Sequence, residues 1–270
     1  MKDELLRVAG AAPAGAAAAV AREYLQARML QHIGLSGQMT SIAFMGGTAL
    51  RFLYGVPRYS EDLDFALEVH RDEYAFSDVL KVIARGFERE AYAIQINARA
   101  SRTAVEKAFI KFPGLLFELG LSPHRDEVLS IKVEVDTNPP AGAVSVVSEV
   151  TRYSTMRVFH HDRASLFAGK LAAVLMRQYT KGRDLYDLLW YLSDRTWPQP
   201  NLTLLANAAR QGGWPDPDSL DASGWRGAVL ERLTTVDWEK GRREAIQYLE
   251  RPLEADMLEF ATFERLLARS

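Results

Sequence analysis

Residues 42–68 read Ile-Ala-Phe-Met-Gly-Gly-Thr-Ala-Leu-Arg-Phe-Leu-Tyr-Gly-Val-Pro-Arg-Tyr-Ser-Glu-Asp-Leu-Asp-Phe-Ala-Leu-Glu, and this stretch decides the fold. Ile42 to Met45 is a short apolar run of strand type that stops at Gly46-Gly47. Paired glycines permit a tight turn and let a ligand come close to the backbone. Thr48 is a candidate cap for a following helix whose apolar positions are Leu50, Leu53 and Tyr54. The unpaired N–H groups at such a helix start make an anion site. Gly55 and Pro57 end the helix. A second strand begins near Leu63. Asp62 and Asp64 are two residues apart, so on a strand both carboxylates share one face while Leu63 and Phe65 face a core.

A phosphate-facing glycine turn beside paired carboxylates has a chemical meaning. Carboxylate oxygens are hard ligands suited to Mg²⁺. Two such ions can clamp the attacking and leaving oxygens of a phosphoryl or nucleotidyl transfer. A lone Asp-x-Asp is most often a solvated strand edge. Here Thr48 and its glycines precede Asp62 by fourteen residues, and that spacing favours a metal site.

Gly46-Gly47-Thr48-Ala49-Leu50-Arg51, followed by Arg58-Tyr59-Ser60-Glu61-Asp62-Leu63-Asp64-Phe65, resembles the signature of the AbiEii/AbiGii (MenT-like) nucleotidyltransferase toxins. That family lies within the DNA polymerase beta-type nucleotidyltransferase superfamily. Thr48 replaces the more usual serine of the superfamily and keeps the hydroxyl. The resemblance implies that Gly46, Gly47 and Thr48 bind the nucleotide and that Asp62 and Asp64 carry metal and catalysis. Ser60 can hydrogen-bond a phosphate or the acceptor, or simply shape the loop.

Residues 129–137, Leu-Ser-Ile-Lys-Val-Glu-Val-Asp-Thr, alternate cleanly, with Ile131, Val133 and Val135 toward a core and Lys132, Glu134 and Asp136 opposite. Polymerase beta-type sites take a third carboxylate from a neighbouring strand, and Glu134 or Asp136 could supply it. Likeness to the Lys-Val-Glu-Ile strands of relatives favours Glu134. The bland alternative is that Lys132 and Glu134 neutralise each other. Asn138-Pro139-Pro140 ends this strand.

The second block of resemblance is Lys170-Leu-Ala-Ala-Val-Leu175, then Arg183-Asp184-Leu185-Tyr186-Asp187-Leu188. Asp162 is a candidate cap for a helix reaching Tyr179, and Gly182 separates it from a second helix over 183–192. The family implies that Lys170 contacts the triphosphate and that Asp184 is a downstream catalytic acid. Arg177, seven residues after Lys170, lies near the same face and joins the candidate nucleotide-binding set. Asp184 can orient either cation, although a simple hairpin brings it closer to Arg177. Asp187 reads as structural, in a salt-bridge cluster that includes Arg183. Together the two blocks span roughly residues 22–195.

Elsewhere the pattern is plainer. Residues 16–32 form a packing helix, and 73–95 a second one. Strands are expected near 93–98, 108–112, 115–121 and 156–159. A short helix lies near 202–210, and further helices from Gly224 onward break at Pro252. Trp225, Trp238, Phe260 and Phe263 are core anchors. Arg85, Arg89, Arg99, Arg102, Lys107 and Lys111 could line a path for a nucleic-acid backbone. The five histidines, His160-His161 included, show no zinc-ligand spacing.

The chain has 270 residues, 48% of them hydrophobic, with a net charge of −2 and no cysteine. Disulfides and thiolate metal sites are excluded, and nucleic-acid contact must come from a local patch. The alanine-rich run 11–20 is too short to span a membrane. The expected fold is α/β (α+β) in two lobes. Residues 1–161 form a nucleotidyltransferase core lobe, and 162–270 form a helical lobe that closes over the site with Lys170. The expected function is a cytoplasmic nucleotidyltransferase toxin of a bacterial toxin–antitoxin or phage-defence system. It uses NTP and a two-ion Mg²⁺ site at Asp62, Asp64 and Glu134. The resemblance implies a cognate antitoxin and, in the MenT branch, the tRNA 3′ end as acceptor. The alternatives are an enzyme that nucleotidylates protein and a catalytically silent nucleotide- or antitoxin-binding module.

Overall fold

A seven-stranded mixed sheet carries the 42–68 stretch near its middle, with strands in the order Gln95–Arg99, Val105–Pro113, Val128–Asp136, Asp62–Leu67, Ile42–Met45, Ser154–His161 and Ser145–Arg152. The computed structural model describes residues 2–99 and 103–269, so Arg102 lies outside the described residues, and of Arg99 only the backbone is placed. The elements are α1 Lys2–Gly10, α2 Ala17–Leu35, β1 Ile42–Met45, α3 Gly46–Tyr54, β2 Asp62–Leu67, α4 Phe76–Arg89, β3 Gln95–Arg99, β4 Val105–Pro113 and α5 Leu115–Glu118. They continue as β5 Val128–Asp136, β6 Ser145–Arg152, β7 Ser154–His161, α6 Arg163–Met176, α7 Gly182–Ser193, α8 Leu202–Gln211, α9 Trp225–Leu233, α10 Trp238–Ile246 and α11 Phe260–Leu267. The fold class is α/β, as the motif order implies.

The chain divides into two compact units. One comprises Met1–Tyr54, Tyr59–Pro139 and Val146–His160, and the other Gly55–Arg58, Pro140–Ser145 and His161–Ser270. In the first unit β1 runs antiparallel to β2 and parallel to β7, while β2 runs parallel to β5. β4 is antiparallel to both β3 and β5. Strand alternation buries Leu63, Phe65, Ile131, Val133, Val135, Ala108, Ile110 and Phe112 on one face of the sheet. Helix α2 packs against α1, α4 and β5. Its apolar residues surround the helix, and its buried set runs from Val20 to Ile33 with Glu23 and Gln26 included. Helix α4 is one-sided, burying Phe76, Val79, Leu80, Ile83 and Phe87 at helical spacing. Phe87 meets Phe112 edge-on, with ring centres 4.9 Å apart.

Several expectations change. The 115–121 segment is a helical turn (α5), because Gly114 with φ +72° breaks out of β4 before Leu115. Strand β6 has no counterpart among the expected strands. His160 and His161 are both buried, and His160 Nε2 lies 2.9 Å from Ser148 Oγ, which is a structural role.

In the second unit Asp162 caps α6 as expected, accepting from the Ser165 N–H at 2.7 Å. The helix ends at Met176, short of Tyr179. Helix α6 packs on α7, α8 and α9, and α7 on α10 and α11. Trp225 and Phe263 are fully buried core anchors, while Trp238 and Phe260 keep partial exposure. Gly182 does more than separate two helices, because it is the first residue of α7 and lies against the α10 backbone. A Cβ there would overlap Gly241 O and come within 2.7 Å of Ala245 N. Two backbones cannot give way as a flexible side chain can, so the contact requires glycine.

All five tryptophans, at 190, 197, 214, 225 and 238, lie in this unit. Gly182→Ala is therefore expected to lower the urea midpoint followed by tryptophan fluorescence, with a loss of about 1–3 kcal/mol. An unchanged midpoint would remove the claim that α7 and α10 meet through this glycine.

Candidate active site

Asp62 and Asp64 leave β2 on the face opposite Leu63 and Phe65, and both keep partial exposure. The parallel register sets Asp62 level with Lys132 and Asp64 level with Glu134. Lys132 Nζ lies 3.2 Å from Asp62 Oδ2 and 2.7 Å from Glu134 Oε2, so one ammonium bridges two strands. Partial burial pulls against the charged amine, but Glu134 and Asp62 outweigh it and hold the Lys132 pKa above its ordinary value. Asp136 sits one step further, level with Ala66, and its Oδ1 accepts the Asn138 N–H at 3.0 Å. Of the two candidate third carboxylates, Glu134 is the one beside Asp64.

The glycine turn meets the same carboxylates. Gly46 has φ +78°, and a Cβ there would stand 2.5 Å from Asp64 Oδ2. A side chain would fill the space that glycine leaves beside the carboxylate. Helix α3 starts at Gly46, three residues earlier than the Ala49 start that a Thr48 cap requires. Thr48 is fully buried in the first turn, and its hydroxyl donates to the Asp62 carbonyl. It ties α3 to the head of β2 and does not cap the helix.

The loop leading into Asp62 is held residue by residue. The Arg51 guanidinium lies over the Tyr59 ring at 4.6 Å. Gln26 Nε2 donates to the Ser60 carbonyl at 3.2 Å, and Arg22 reaches Glu61 at 3.9 Å. Arg51 is itself buried against Glu23. Glu23 also takes Arg152 Nη2 at 2.6 Å and the Tyr153 hydroxyl at 2.8 Å. A carboxylate this deeply buried is tolerable only with such partners.

The second unit brings Lys170, Arg177, Asp184 and Asp187 together with Arg58. Lys170 Nζ is 2.7 Å from both Asp184 Oδ1 and Asp187 Oδ2. Arg177 pairs with the other oxygen of Asp184, so Asp184 contacts both cations and need not choose between them. Arg58 binds Asp187 in bidentate fashion, at 2.5 and 2.7 Å. Lys170, Arg177 and Arg58 thus each pair with Asp184 or Asp187. Burial raises the carboxyl pKa of Asp184, but Lys170 and Arg177 overcome it and hold the group at about 2. Asp187 is also held below its ordinary range, burial being outweighed by Arg58 and Lys170. The same carboxylates keep Lys170 charged against its own burial. Only 11% of the Lys170 side chain is exposed, against 45% for Arg177.

The donor set on the sheet suits a hard cation. Asp62, Asp64 and Glu134 offer oxygen ligands from adjacent strands, Gly46 leaves room beside Asp64, and an ammonium already occupies the position between Asp62 and Glu134. Among the described residues no group of three or more His, Cys, Asp or Glu is already gathered as a metal cage. On this face Lys132 stands between Asp62 and Glu134.

The family model for the AbiEii nucleotidyl transferase toxin of type IV toxin–antitoxin systems matches residues 28–269. The chain belongs to the AbiEii family. It is an enzyme family of nucleotidyl transfer, with NTP as substrate and an antitoxin as counterpart. Two solved structures share the fold. The "putative nucleotidyltransferase from H. pylori" has 18% identity and a TM-score of 0.51 over 93% of this chain and 95% of that one. JHP933 from Helicobacter pylori has 18% identity and a TM-score of 0.50 over 93% and 92%. Comparison with curated proteins yields no match. Among the described residues no helix is long and apolar enough to cross a membrane.

Within this AbiEii chain, sequence reasoning missed the parts that depend on register and on distant partners. Lys132 reads as a neutraliser of Glu134, and it does pair with Glu134, yet only the β2–β5 register reveals its reach to Asp62. Arg58 sits in the recognised motif with no sign that it pairs with Asp187, 129 residues away. The polar letters of α2, Glu23 and Gln26, were the available signal for the clamp, since charge inside an apolar helix demands partners.

A group whose folded pKa is depressed contributes stability above its unfolded pKa and loses that contribution as pH falls through the folded value. For Asp184 the window runs from the ordinary 3.8 down to about 2. Asp184→Asn is expected to flatten the fall of second-unit stability across that window, measured by urea unfolding with tryptophan fluorescence. An acid slope equal to that of the wild type would contradict the pairing.

Proposed function

We propose that this AbiEii-family chain is a Mg²⁺-dependent transferase that moves an NMP from an NTP to the 3′-hydroxyl of tRNA. The observation that carries the reading is the placement of Asp62, Asp64 and Glu134 on one sheet face, with the Gly46 turn against Asp64 Oδ2. Asp62 and Asp64 would hold Mg²⁺ in a two-ion arrangement, with Glu134 as the third carboxylate once Lys132 yields it. When bound, the metal supplies positive charge to the phosphates and lowers the barrier to deprotonating the acceptor.

The chain's own groups account for the rest. The N–H groups at the start of α3 would bind the triphosphate, while the Thr48 hydroxyl is engaged with the Asp62 carbonyl. Gly46 and Gly47 let the phosphates approach the backbone. The acceptor oxygen attacks the α-phosphorus, the bond to the bridging oxygen of pyrophosphate breaks, and the acceptor proton passes to a carboxylate of the Asp62–Asp64 pair. Ser60, with its carbonyl fixed by Gln26, is placed to shape the loop and to offer a hydroxyl. Lys170 and Arg177 serve as phosphate-binding cations, and Asp184 positions both. The exposure of the Arg177 side chain, beside its pairing with Asp184, supports this role. The cytoplasm, where NTP and tRNA meet, is the proposed compartment, and a cognate antitoxin restrains the toxicity.

Purified protein incubated with Mg²⁺, each labelled NTP and total bacterial tRNA is expected to label the tRNA. Asp62→Ala/Asp64→Ala should lose the activity by a factor of at least about a hundred, the scale of a removed transition-state charge partner. Label found in protein would replace the acceptor. Activity surviving in the double variant would displace the site.

A further inference from the structure

The register that aligns the carboxylates also aligns a second set of side chains on the same sheet face. Lys107 of β4 is level with Glu134, Phe109 with Lys132, and Lys111 with Ser130. Directly opposed residues of antiparallel strands project to the same side, so Lys107, Phe109 and Lys111 share the face of Lys132 and Glu134. Through the β2–β5 register they share it with Asp62 and Asp64. The intervening residues Ala108 and Ile110, and Phe112 beyond, are fully buried on the other side.

Phe109 is anomalous there. It sits in the middle of a strand with neighbours on both sides, yet 38% of its surface is exposed. Its flanking residues along the face are both cations, on a chain whose net charge is −2. Lys107 is exposed and Lys111 half-buried. On β3, Gln95 and Asn97 hold the positions level with Lys111 and Phe109. Two strand spacings separate β4 from β2, placing Phe109 and Lys107 about 10 Å from the carboxylate pair.

An aromatic ring open to solvent on a sheet face, between lysines and beside polar amides, matches the chemistry of single-stranded nucleic acid. Bases stack on the ring, and the backbone phosphates meet the cations. Duplex RNA hides its base faces and would gain only the phosphate contacts.

We propose that the β3–β4–β5 face is the acceptor-strand platform, on which Phe109 stacks a base of single-stranded RNA while Lys107 and Lys111 hold its phosphates. This deepens the proposed function and rests on it, since the platform adjoins the carboxylates that would act on the strand's end.

The test measures binding of a fluorescent single-stranded RNA and of total tRNA, alongside NTP binding by calorimetry, for wild type and three variants. Phe109→Ala is expected to weaken RNA binding about 5- to 150-fold, the effect of one lost base stack. Phe109→Tyr keeps the ring and should retain the affinity. Lys107→Ala/Lys111→Ala should weaken binding and reduce the salt slope by about 0.7 per lost phosphate contact. NTP affinity should be unchanged in all three, and fully duplex RNA should compete poorly. Full RNA affinity in both Phe109→Ala and the lysine variant overturns the platform, and tRNA labelling by those variants at the wild-type rate would show that the transferase reading survives without it. Wild-type protein that binds no RNA overturns both the platform and the tRNA acceptor. Equal loss in Phe109→Ala and Phe109→Tyr overturns the stacking role.

Discussion

Like charges on adjacent strands repel, and the centre of this sheet places Asp62, Asp64 and Glu134 side by side. That arrangement is tolerable only with a cation among them. In the structure Lys132 is that cation, bridging Asp62 and Glu134 from the strand between β2 and β4. Its ammonium offsets the negative charge of the face, and the carboxylates in turn hold the Lys132 pKa above its ordinary value. It also stands in competition with any ion that would use Glu134. On the proposed reading, the same residue stabilises the carboxylate cluster and competes with a metal for it.

Rigidity at such a face has to come from its surroundings. Four consecutive residues, Tyr59 to Asp62, are each held by a different partner on α2 or α3. The buried Glu23 anchors that support through Arg51, Arg152 and Tyr153. Tyr153 takes a left-handed φ of 59°, unusual for an aromatic, at the turn between β6 and β7. Its hydroxyl bond to Glu23 is one interaction that holds it there. In the second unit the same logic recurs with different residues. Asp184 and Asp187 are buried and ionised because Lys170, Arg58 and Arg177 surround them. Losing one partner would strand a buried charge, which costs more than the pair contributes.

What was legible in the sequence follows period and punctuation. The alternation of 62–65 and of 129–136, the Asp162 cap and the apolar stripe of α4 all write their structure locally. The α/β class and the family follow from the two motif blocks. What escaped is non-local. Which of Glu134 and Asp136 stands level with Asp64 needs the β2–β5 register. The β6 strand has three exposed valines at or just before its start, Val144, Val146 and Val147, so no buried face marks its period. Thr48 looks like a cap because threonine caps helices, but its hydroxyl finds the Asp62 carbonyl across the turn. Gly182 reads as a breaker, although the demand for glycine arises from the backbone of α10. The basic residues 85–111 look scattered in sequence, and the sheet gathers Lys107 and Lys111 around Phe109.

The central claim is that the Asp62–Asp64 face holds metal and nucleotide together. Crystals grown with Mn²⁺ and a non-hydrolysable NTP analogue test it directly through anomalous scattering. The account predicts manganese signal against the Asp62 and Asp64 carboxylates, with the triphosphate against the Gly46–Gly47 turn. Manganese bound elsewhere, or a triphosphate seated away from that turn, would contradict it.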